Sequence, residues 1–174
     1  MKKEWFKGVL IAVLAVSTVA FDDVEKKEVK LEKSKVTWKG YKVTGSHYGT
    51  VALKSGHFEF EGDKLIGGTF VVDLTTLQSE DLSGEYKAKL EGHLKSPDFF
   101  GVENHPEAKL EITKATASGK NAYNVEGNLT IKGQTQPISF PLSVYGSKAT
   151  ATLKVDRAQY GLKYGSNSFF DNLG

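Results

Sequence analysis

The sequence predicts an all-β protein, an antiparallel set of strands closed as a barrel or a sandwich and interrupted by one short helix. Three observations carry this. Apolar and polar residues alternate with period two along much of the chain. The alternating runs are separated by turns of only a few residues, which join antiparallel neighbours. Eighteen glycines against four prolines suit a turn-rich β chain of 174 residues.

The strands can be taken in order. Val36 and Trp38 share one face, and Val51 and Leu53 share another. Phe58 and Phe60 have the opposite parity to Val51, so a bulge near Gly56 is needed to keep one apolar face. Phe70, Val72 and Leu74 alternate in 69–74, and Leu110 and Ile112 in 108–113. In 123–132, Tyr123, Val125, Leu129 and Ile131 fall together, with Gly127 between them. Ile138, Phe140, Leu142 and Val144 follow in 138–144, then Ala149, Ala151, Leu153 and Val155 in 149–155. Pro141 cannot donate to a ladder, so it must lie at an edge or a bulge. The exception to β patterning is 82–95, where Leu82, Tyr86, Leu90 and Leu94 recur every four residues. Acidic residues precede that stretch, Lys95 ends it and Pro97 stops it, all as a helix requires. One short helix cannot cover seven or eight strands, so the strands must bury their apolar faces against one another. A barrel would leave room for a ligand inside, whereas a sandwich would fill that space with side chains.

The N-terminus has its own logic. Lys2, Lys3 and Lys7 precede an uncharged run, residues 8–20, that ends in Thr-Val-Ala. This is the pattern of a secretory signal peptide, residues 1–20. Thirteen residues are too few for a spanning helix, which argues against a permanent membrane anchor. Residues 21–33 form a charged leader, expected to be solvated, and 34–174 form the domain. Of 23 basic and 21 acidic residues, the signal segment holds three lysines and one glutamate, so the mature chain is formally neutral. That excludes a nucleic-acid partner driven by net charge, and long-range attraction to an acidic surface.

Chemistry-bearing motifs are scarce. There is no cysteine, which excludes disulfides, thiolate metal sites and cysteine nucleophiles. His47, His57, His93 and His105 form no metal-ligand spacing. Nucleophile elbows, dinucleotide fingerprints and phosphate loops are absent. No metal site, no required cofactor and no catalytic residue is therefore expected, and an enzyme ranks below a binding protein. Arg157, the single arginine, stands where a strand is expected to end. It serves as a local clamp or as a contact for a ligand's polar head. The aromatics are the richest signal, because they lie on the apolar strand faces. They suit an ordinary core and an apolar tunnel equally.

Four ordered blocks resemble the YceI-like family of exported, lipocalin-like proteins. They are His93-Leu94-Lys95-Ser96-Pro97-Asp98-Phe99-Phe100, His105-Pro106-Glu107-Ala108-Lys109-Leu110-Glu111, Gly127 to Gly133 with Gln136-Pro137, and Asp156 to Leu162. The resemblance implies a lipocalin-like antiparallel β-barrel with a helix across one end. It also implies a polyisoprenoid ligand, a polyprenyl or quinone-type chain, held in the lumen for transport or storage, and no established enzymatic activity. Lumen candidates are Trp38, Phe58, Phe60, Phe70, Val72, Leu110, Ile112, Val125, Leu129, Ile131, Phe140 and Leu142. Mouth candidates are His93, Phe99, Phe100, His105 and Arg157. Two departures stand out. Glu91-Gly92 replace the family's Arg-Asp, and the sequence stops at Asp171-Asn172-Leu173-Gly174, about where the family continues into a final strand. A barrel lacking that strand has open edges, which invite pairing with a second copy as a homodimer. The expected location is periplasmic or secreted. The competing reading is a ligand-free β-sandwich acting as an envelope stress or adhesion module.

Overall fold

The computed structural model describes residues 23–42 and 45–162. The expected signal segment and the chain end after Leu162 lie outside the described residues.

Eight strands form one antiparallel sheet: β1 Val24–Glu28, β2 Val36–Lys42, β3 Gly45–Glu61, β4 Lys64–Ser79, β5 Glu107–Gly119, β6 Ala122–Ile131, β7 Gln134–Tyr145 and β8 Lys148–Ala151. From β3 onward each strand pairs with the next. The other edge of β3 is shared. β2 covers its first half, pairing Trp38 with Gly49, and β1 covers its second, pairing Lys27 with Phe58. Among the described residues β8 pairs with β7 alone, so the sheet curls into a half-barrel with an apolar concave face. This agrees with the barrel expectation and shows no second sheet of a sandwich among the described residues.

The charged leader behaves unexpectedly. It is solvated, as its composition implies, with all five residues of β1 exposed. Yet Val24–Glu28 still pairs along Glu61–His57, because backbone hydrogen bonding needs no apolar side chain. The expected phase slip is also present. Register shifts fall between Leu53 and Ser55, immediately before Gly56, and again between Glu59 and Phe60. Pro141 sits one residue beyond the Leu142–Tyr145 stretch that β8 covers, on an edge of the sheet. The last strand is shorter than its 149–155 alternation suggests. β8 ends at Ala151, and Val155 is exposed.

The helix, α1, spans Gly84–Lys95. Leu90 and Leu94 are buried, but Tyr86 is 59% exposed. Ser83 to Tyr86 are all exposed, so the first turn overhangs the core that receives Leu90 and Leu94. Glu91 fixes the other flank: its carboxylate accepts the backbone N–H of Ser79 at 2.8 Å. Glu91 thus braces α1 to the end of β4.

Candidate functional site

The strand pairings bring the lumen candidates onto one surface. Phe70, Leu110 and Leu129 are direct neighbours across β4, β5 and β6, and Val125 lies opposite Phe140. All twelve belong to two apolar clusters. Trp38, Val72, Leu129 and Ile131 pack beneath α1, with Leu90, Leu94 and Phe99. Phe58, Phe60, Phe70, Ile112, Val125, Phe140 and Leu142 form the second, toward the other end of the half-barrel. Leu110 and Ile138 touch both clusters, so the apolar surface is continuous.

Two glycines set the depth of this surface. Trp38 faces Gly49, and its indole lies where a Cβ at Gly49 would be, 2.8 Å from Cζ2. Phe70 faces Gly56 in the same way, at 2.7 Å. The missing side chains let both rings lie down on the sheet. The Trp38 Nε1 donates to the Thr50 carbonyl at 3.2 Å, and Phe58 meets Phe70 edge-on with centroids 4.9 Å apart.

Burial divides the twelve. Trp38, Phe58, Phe60, Phe70, Val72 and Leu110 are only half-buried. Ile112, Val125, Leu129, Ile131, Phe140 and Leu142 are buried. Wettable apolar surface therefore lies along β2 to β5, while Ile112 on β5 and the residues of β6 and β7 supply packed floor. A shallow depression of about 210 Å³, lined by Val36 and Val51 but mostly by polar residues such as Thr50 and Gln78, lies at the β2–β3–β4 edge rather than over the aromatics.

At the mouth, three of five candidates meet. The His93 ring lies 5.6 Å from that of Phe99, and Phe99 packs edge-on against Phe100 at 4.8 Å. Their loop is tied down by Lys132, whose Nζ donates to the Pro97 carbonyl at 2.6 Å. Lys132 and Gly133 both have positive φ, 50° and 72°, forming the tight β6–β7 turn. His105 sits on that turn, its ring 3.4 Å from where a Cβ of Gly133 would stand. Arg157 opens a 3-10 turn, Arg157–Tyr160, which Asp156 caps by accepting the Ala158 N–H at 3.0 Å. The Gln136 Nε2 holds that turn to β7 through the Gln159 carbonyl at 3.2 Å.

Several contributors escaped the sequence. Leu65, Ala115, Tyr160 and Leu162 are all buried in the two clusters. Ile66 and Thr113 are the extra residues of two bulges, opposite Glu59–Phe60 and Gly127–Glu126, so Leu65 and Ala115 face inward with reversed parity. A further polar group braces the helix end. His47 Nδ1 lies 2.7 Å from Asp81, which also accepts the Ser79 hydroxyl at 2.8 Å and the Tyr48 N–H at 3.2 Å. Burial pushes the Asp81 carboxyl up, but these partners outweigh it and hold it below the ordinary carboxylate value. The Ser79 hydroxyl bonds Asp81 rather than His47. Among the described residues no cluster of three or more metal-ligating side chains exists.

Burial lowers the His93 pKa, against a smaller upward pull from Asp98. The folded chain therefore takes this proton less readily than the unfolded one. Stability is whole above the ordinary histidine value of 6.5 and falls as pH drops below it, until the folded form also protonates. Thermal melts between pH 7.5 and 5 should show this decline, and His93→Gln should flatten it. An unchanged slope in the variant would assign the decline elsewhere.

Comparison with known proteins gives consistent matches. Residues 27–173 match the model of the YceI-like domain. A UPF0312 protein of Azotobacter vinelandii is 31% identical over 91 residues, covering 52% of this chain and 45% of its own length. One from Vibrio parahaemolyticus is 30% identical over 115 residues, covering 65% and 56%. The chain thus spans about half the length of the curated relatives it matches. BcnA of Burkholderia cenocepacia superposes with a TM-score of 0.49 at 17% identity, over 82% of each chain.

Proposed function

The chain belongs to the YceI-like family, and from that premise we propose that it is an exported binding protein that shields a long-chain isoprenoid from water. The observation that carries this is the continuous concave apolar surface, with Trp38, Phe58, Phe60, Phe70, Val72 and Leu110 left half-exposed along it. Each CH₂ removed from water contributes about 0.8 kcal/mol, so a prenyl chain gains affinity from length without polar contacts. Ordering and association costs are then subtracted. Ile112, Val125, Leu129, Ile131, Phe140 and Leu142 form the floor of this reading, and His93, Phe99, Phe100, His105 and Arg157 its mouth. The basic start and apolar run of residues 1–20 support export to the periplasm or medium. No helix among the described residues is long and apolar enough to cross a membrane.

Native mass spectrometry before and after organic extraction tests the reading. A carrier purified from its own cells should release a defined lipid. The delipidated protein, with Trp5 replaced by Phe, should then show Trp38 emission moving to the blue on titration with a prenyl lipid. Blue emission from the start, unmoved by the lipid, together with no released lipid, would favour the ligand-free module.

A further inference from the structure

The zero net charge expected of the mature chain hides a local excess of lysine. Residues 30–42 hold five lysines and one glutamate. Part of this stretch is β2, whose Trp38 faces the concave side. Thr37, Lys39 and Tyr41 therefore face outward. Lys39 lies directly opposite Tyr48 on β3, and Tyr41 opposite Ser46. Tyr41 is 71% exposed and Tyr48 48%, the ammonium of Lys39 standing 5.2 Å from the centre of the Tyr41 ring. Of the acids that follow β4, Glu80 is met by Lys35 at 3.7 Å, and Asp81 is taken up by His47 and the Tyr48 N–H. Elsewhere lysines mostly stand against acids, as in Lys26–Glu59, Lys54–Glu107, Lys109–Glu111 and Lys114–Glu126.

The platform beneath these tyrosines is held at several points. The Tyr48 N–H donates to Asp81, the Glu80 N–H donates to the Tyr48 carbonyl at 3.0 Å, and His47 is bound to Asp81. This is also the end of the half-barrel from which β4 leads into α1.

We propose that the outer face of the β2–β3 hairpin, carrying Lys39, Tyr41 and Tyr48, docks on an anionic lipid bilayer. Tyrosine rings settle at the headgroup level, with an apolar body and a polar tip. Lysine keeps its ammonium among the headgroups while its stem lies against apolar surface. A basic residue near an anionic surface favours binding, and salt screens the effect. Docking there would bring the helix end of the apolar face beside the membrane from which an isoprenoid is taken. That consequence rests on the carrier reading, whereas the docking itself does not.

The test is flotation of the exported protein, freed of residues 1–20, with vesicles of phosphatidylcholine alone or mixed with phosphatidylglycerol. Wild type should bind the mixed vesicles, release them at high salt and bind pure phosphatidylcholine weakly. Lys39→Glu with Tyr41→Ser should weaken binding about tenfold or more with an unchanged circular dichroism spectrum. Equal binding to both vesicle types, or an undiminished double variant, would overturn the proposal. So would a dimer in light scattering that the double variant dissolves, since the face would then belong to a second copy. Lipid released on extraction from a protein that ignores the vesicles would leave the carrier reading intact and end this one.

Discussion

Gly49→Ala should lower stability by at least about 3 kcal/mol, which for a domain of this size is a fall in Tm of about 10 °C. The added Cβ would stand 1.9 Å from the Gln78 carbonyl oxygen and 2.8 Å from the Trp38 ring. The far end of a flexible side chain can swing away from such a contact, but a backbone oxygen cannot. Relief requires parting β3 from β4 where Gly49 pairs with Ser79, and lifting the indole off the sheet. Gly40→Ala is the control. It lies in the neighbouring strand with nothing within 4 Å of a new Cβ, and should stay within about 0.5 kcal/mol of wild type. Thermal melts of both variants decide the matter: equal losses would mean that the Trp38–Gly49 contact does not set the spacing of these strands.

What the sequence disclosed depended on how local each determinant was. The alternation of β6 and β7 is unbroken, so their inward faces could be read directly, and the lumen candidates there all proved inward. Leu65 and Ala115 could not be read, because bulges at Ile66 and Thr113 reverse parity within single strands. A bulge is fixed by pairing with the neighbour and leaves little trace in composition. β1 was invisible for another reason: all five residues are exposed at an edge, so no burial pattern marks them. The helix was legible through Leu90 and Leu94, but its stripe overcounted Tyr86, whose burial depends on how far the sheet extends beneath it. At the mouth, His93, Phe99 and Phe100 lie within eight residues and meet through the local turn. The places of His105 and Arg157 follow from docking of distant segments, on the β6–β7 turn and β7. Net charge was the least informative quantity, since a neutral total concealed the lysine-rich run of residues 30–42.

Val125→Trp and Phe58→Ser should fail in opposite ways, and the contrast separates floor from binding surface. Val125 is 1% exposed and enclosed by Ala115, Phe140 and Leu142. Its neighbours belong to the two strands that flank β6, so an indole there must push β5 and β7 away from β6. Overpacking of this kind costs about 1–3 kcal/mol, and the upper end is expected where strands on both sides must move. The fraction that folds should keep its affinity for a prenyl lipid, because Val125 is buried beneath the half-exposed surface proposed to receive it. Phe58 is half-buried and leans edge-on against Phe70, with one side available to a ligand. Serine there removes apolar contact from the ligand as well as from the sheet, and affinity should drop about tenfold or more. Its cost to folding should be smaller than that of Val125→Trp, since Phe58 already keeps part of its surface in water. Urea denaturation and lipid titration on the same two proteins read both quantities. If Val125→Trp instead folds normally and loses the ligand, its side chain faces an open lumen, and the packed second cluster is not the floor of the site.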